Sequence, residues 1–161
     1  MNDALVARIV HDLEGIVAAP PDAHRWFELS GAVGRWRDGG ADLSAALDVA
    51  AAWIALKFHE GVLTYVEADT VINELSGAVQ TGFHEVFAGG WTSDAFWVRI
   101  YLAFDAGEFR RPGEDDPVEV HTRPLIQQLL GDIDGLDLRF PRDRALPSIS
   151  SPTRHGQAND T

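Results

Sequence analysis

The residues whose types and spacing could do chemistry gather on one short stretch. Between Ser93 and Glu108, the side chains of Asp94, Tyr101, Asp105 and Glu108 recur at helical spacing. They fall within about 60° of one another around a helix axis, with Val98 between them. A row of acids beside a phenol must face water, an arginine, a metal or a partner, because burying unpaired carboxylates is costly. In a cleft, with a histidine or a divalent metal, the same groups would serve acid–base chemistry. The ordinary alternative is that Arg99, Arg110 or Arg111 neutralises them, or that they are simply solvated.

Other candidates stand apart from this row. Glu114, Asp115 and Asp116 follow a Pro112-Gly113 turn, but the Asp-x-Asp-x-Asp-Gly spacing of a calcium loop is missing. Trp91 lies in a loop between Gly90 and Thr92, where an exposed indole would anchor a partner. None of His11, His24, His59, His84, His121 and His155 forms a two-histidine pair at i, i+3 or i+4. A site from His84, Asp105 and His121 requires the helices that carry them to pack together. Phosphate-loop, His-Glu-x-x-His, Gly-x-Ser-x-Gly and dinucleotide-binding motifs are all missing. The chain has no cysteine, which rules out disulfides, thiolate metal sites and cysteine nucleophiles. Lys57, the single lysine, reads as a solvated helix residue. We therefore expect no catalytic residue, no metal and no cofactor.

The elements that must position these groups read as helices. Leu5, Val6, Ile9, Val10, Leu13, Ile16 and Val17 define a first helix over residues 3–18, ended by Pro20-Pro21. Asp22 opens a second over about 23–37, with Trp26, Leu29, Val33 and Trp36 on its apolar side and Gly39-Gly40 at its end. Asp42 caps a third, alanine-rich helix over 43–59, stopped by Gly61. Thr64-Tyr65-Val66-Glu67 is a capping box for a fourth, whose stripe runs through Ala68, Val71, Ile72, Leu75, Ala78 and Val79 to a stop at Gly89-Gly90. Residues 93–108, apolar nearly all round, read as the fifth and central helix, capped by Ser93 or Asp94 and stopped at Gly107. Residues 109–121 form a long polar connection, after which Thr122 caps a sixth helix carrying Pro124 in its first turn. Leu136, Leu138 and Phe140 alternate with polar residues and read as an extended segment packed on the bundle.

The fold class that results is all-α: a single-domain bundle of about six helices over residues 1–140, with a mobile tail over 141–161 that is too polar to recover its ordering entropy. The start shows no basic-then-apolar leader, and no apolar run is long enough to cross a membrane, so a cytoplasmic location is expected. One lysine beside twelve arginines, with abundant alanine, glycine and aspartate, has the compositional habit of GC-rich bacteria.

Thirteen basic and 25 acidic residues give a net charge of −12, and half of it falls between residues 105 and 137. Such a field repels nucleic-acid backbones and steers a basic protein toward the surface. In size, acidity and lack of catalytic motif the chain resembles small bacterial accessory proteins, among them immunity proteins that neutralise toxins. The leading expectation is a non-enzymatic, immunity- or inhibitor-type protein that binds a basic partner through Trp91, Tyr101, Asp105, Glu108, Glu114, Asp115 and Asp116. The alternatives are an enzyme or a small-ligand or metal-binding protein using the acids of the fifth helix, and a helical subunit of a homo-oligomer.

Overall fold

The computed structural model describes residues 3–19, 25–82 and 94–133. Six α-helices pack together: α1 (Asp3–Ala18), α2 (Arg25–Asp38), α3 (Leu43–His59), α4 (Tyr65–Gly82), α5 (Phe96–Asp105) and α6 (Arg123–Asp132). No strand occurs among the described residues. Ser93, Trp91, the Pro20-Pro21 break, the Asp22 cap, the Gly89-Gly90 stop, His24, His84, the 136–140 segment and the 141–161 tail lie outside them, as does the side chain of Trp26.

Local chemistry sets most helix ends as read. Asp42 accepts a hydrogen bond from the Ser44 amide at 3.0 Å. At the start of α4, the Glu67 carboxylate accepts from the Thr64 amide at 2.8 Å while the Thr64 hydroxyl accepts from the Glu67 amide at 3.3 Å. This reciprocal pair satisfies two donors that an isolated helix start leaves open. Gly61 (φ 74°) ends α3 in the left-handed region. Its amide bonds the Phe58 carbonyl, and the Val62 amide bonds that of Lys57, the double closure of a Schellman end.

The inner element is α3, not the 93–108 helix. Twelve of the 17 residues of α3 are buried, and α1, α2, α4, α5 and α6 all pack against it. Ala46, Ala50, Ala51, Ala52 and Ala55 explain this, because a slim helix admits neighbours on several sides at once. By contrast, α5 buries Phe96, Trp97, Ile100, Ala103 and Phe104 but leaves Leu102 47% exposed, so it packs as an outer helix against α3, α4 and α6. Lys57 is also buried rather than solvated, and its ammonium reaches the Glu60 carboxylate at 2.7 Å.

Two expected caps are replaced. Asp94 does not cap α5: the N-cap position is Ala95, which has no side chain able to accept. Asp48 of α3 supplies the acceptor instead, taking the Trp97 amide at 3.0 Å. Thr122 does not cap α6 either. It lies in helical conformation at the end of a π-helical turn, Val118–Thr122, that runs straight into α6. The start of this longer helical run is held by Asp116, whose carboxylate accepts from the amides of Val118 (2.9 Å) and Glu119 (3.3 Å). The 109–121 connection is therefore shorter than its polarity suggests: it is irregular over residues 109–116 and helical from Pro117 onward.

Candidate functional site: an acidic face between α4 and α5

The capping box starts α4 so that Tyr65, Asp69 and Asn73 line the side toward α5. The apolar residues of α5 lock against α3 and leave Tyr101 and Asp105 on the side toward α4. Three rings fix the spacing. Phe58 meets Phe104 edge-on at 5.3 Å between centroids, Tyr65 lies 6.2 Å from Phe104, and the Tyr65 hydroxyl donates to the Phe104 carbonyl at 2.9 Å. Asn73 bridges the seam, hydrogen-bonding the Asp69 carboxyl and reaching Glu108 Oε1 at 3.4 Å.

The electrostatics of this face are those of uncompensated negative charge. Partial burial, with the charges of Glu108 and Asp105 adding to it against the Asn73 hydrogen bond, pushes the Asp69 carboxyl up to about 6. Burial and the charges of Asp69, Glu108 and Asp105 push the Tyr65 hydroxyl up to about 12, and burial with the same three acids raises that of Tyr101. A phenol becomes harder to ionise when anions sit beside it and no cation offsets them. Asp69, Asp105 and Glu108 form no ion pair among the described residues. Arg99, one of the arginines that could have neutralised the row, instead reaches Asp132 of α6 at 3.1 Å.

The structure thus brings together Tyr101, Asp105 and Glu108 and adds Asp69, Asn73 and Tyr65, which the sequence reading did not single out. It separates them from the loop acids, which have local work of their own. Glu114 Oε1 lies 2.8 Å from His121 Nε2, and Arg111 is 3.8 Å from the other oxygen. Desolvation pushes the Glu114 carboxyl up, but the His121 hydrogen bond, the Arg111 amide and the two neighbouring cationic groups outweigh it and leave it below the ordinary range. Asp116 caps the π-helical turn, and Asp115 stands fully exposed 3.9 Å from Arg110. Trp91 falls outside the described residues, and Asp94 is exposed at the foot of α5.

Among the described residues, no three or more histidine or acidic side chains converge in a way that could hold a metal ion. No described helix is long and apolar enough to cross a membrane. Beside the acidic face, Arg99, Leu102 and Ala103 of α5 and Leu125, Gln128 and Leu129 of α6 line an open groove of about 220 Å³. No family model matches this chain, and no curated protein or solved structure matches it either.

Proposed function

We propose that this chain is an interaction protein whose α4–α5 face receives a basic protein partner. The observation that supports the reading is the meeting of Asp69 of α4, Asp105 of α5 and Glu108 of the turn after α5, with no arginine or lysine paired to them among the described residues. Acids gathered at one seam and left without counter-ions among the described residues attract cationic side chains and raise the encounter rate. Tyr101 sits within the same face and offers a rigid amphipathic ring of the kind common in interfaces. The net charge of −12 extends the attraction beyond contact range. In its specific form the reading is an immunity- or inhibitor-type role in a bacterial cytoplasm, with this face covering the positive groove of a toxin or nuclease.

The deciding experiment is affinity capture from the native host at low ionic strength, with the wild-type chain beside D105N/E108Q. Each exposed charge is worth about 0.5–1 kcal/mol, so the double variant should bind about tenfold more weakly. Retention of a basic protein by the wild type, lost in the variant and in raised salt, supports the proposal. Retention indifferent to both defeats it.

A further inference from the structure

Asp69 is held in a manner that docking does not require. Its Oδ1 is sealed from solvent and has no hydrogen-bond donor among the described residues. The carboxyl does receive the Asn73 amide, but Asn73 also reaches toward Glu108. Across the seam the charged groups acting on it are Glu108 and Asp105, both negative, and the phenols of Tyr65 and Tyr101 share its surroundings. Among the described residues, α2 and α3, the other helices packed on α4, place no cation among the groups that act on it. A carboxylate oxygen shut away without a donor favours the protonated form, because the O–H no longer demands solvation of a full charge.

We propose that the α4–α5 seam is an acid-tightened joint, in which Asp69 takes up a proton in mildly acidic solution and the last turn of α5 then closes more firmly on α4. The ionised form sets a third negative charge against Asp105 and Glu108 at the point where α5 ends. Past Asp105 the chain end of α5 is tied by the Ala106 amide to the Leu102 carbonyl, the Gly107 amide to the Phe104 carbonyl, the Glu108 amide to the Asp105 carbonyl, and the Tyr65 hydroxyl to the Phe104 carbonyl. Neutralising Asp69 removes the repulsion without breaking any of them. The inference rests on no partner and concerns the isolated chain.

The test is a carbon-13 titration of the aspartate carboxyls in the wild-type chain, joined to thermal unfolding against pH for wild type, D69N and E108Q. The Asp69 signal should titrate well above the ordinary aspartate range, at about 6. The wild-type melting point should climb by about 2–3 °C from about pH 7.5 to about pH 5.5. D69N should melt at the higher temperature already at the upper pH and show little further climb. E108Q should keep the climb but move it to lower pH, because one of the two repelling charges is gone. Titration of Asp69 in the ordinary aspartate range, or an unchanged climb in D69N, overturns the proposal. If D69N does not fold, the wild-type titration decides alone.

Discussion

At the scale of single residues, the contact between Gly107, Thr122 and Tyr65 shows what this fold can least tolerate. A Cβ built on Gly107 would collide with Thr122 Oγ1 and lie 3.1 Å from the Tyr65 ring and hydroxyl. Gly107 is not among the glycines in the left-handed region, so it is there for room rather than for a special backbone angle. Gly107→Ala must displace Thr122 and the π-helical turn that carries it, or Tyr65, which also holds the Phe104 carbonyl. Such overpacking costs about 2–3 kcal/mol, to be read as a lower urea midpoint. Thr122 itself is fully buried and its hydroxyl has no hydrogen-bond partner among the described residues. Replacing an unpaired buried hydroxyl by a methyl of similar size removes a desolvation penalty, so Thr122→Val should equal or exceed wild-type stability, by up to about 1 kcal/mol. A loss as large as that of Gly107→Ala would show that the hydroxyl has a partner in solution. Neither role was legible in the sequence. Gly107 looked like a helix stop and Thr122 like a cap, because the contact joins positions that only tertiary packing brings together.

At the scale of elements, local signals fixed most of the helices and tertiary ones fixed the exceptions. The capping box at Thr64, the Asp42 cap and the Gly61 stop act within four residues of chain, so sequence alone reveals them. The start of α5 shows the opposite case. Its acceptor, Asp48, lies on α3, 49 residues earlier in the chain. The Asp116-Pro117-Val118-Glu119 start was visible as a cap followed by proline, but the three acids in a row read as a charged surface instead. Half of the acidic face was legible for the same reason: Tyr101, Asp105 and Glu108 share one helix side, whereas Asp69, Asn73 and Tyr65 come from another helix. The α5 start carries a prediction. Burial pushes the Asp48 carboxyl above its ordinary range, with the Trp97 amide opposing and Asp42 adding to it. The acceptor oxygen therefore matters more than the charge. Asp48→Ala should cost about 1–2 kcal/mol at neutral pH, while Asp48→Asn, which keeps the oxygen, should stay within about 0.5 kcal/mol of wild type. Equal losses in both variants would mean that the charge itself secures α5.

At the scale of the whole molecule, these carboxyls combine into one pH profile. Asp69 and Asp48 are raised in the folded state, so the fold holds protons there that the unfolded chain has released. Their contribution is present at acid pH and is lost as pH rises, through about 6 for Asp69. Glu114 has the opposite sign. It is lowered by His121 and Arg111, so its contribution is present above the ordinary glutamate value of 4.5 and is lost as pH falls below it. The net charge of −12 acts with the first pair, because acidification reduces self-repulsion across the bundle. The melting point should therefore peak between about 4.5 and about 6 and fall on both sides. The two limbs separate by substitution: Asp69→Asn flattens the alkaline limb, and Glu114→Gln shallows the acid one. Added salt should raise the melting point on the alkaline side, where repulsion is unscreened, and much less at the peak. A peak above about pH 7, or a salt effect independent of pH, would mean that cations outside the described residues neutralise this surface in the folded chain.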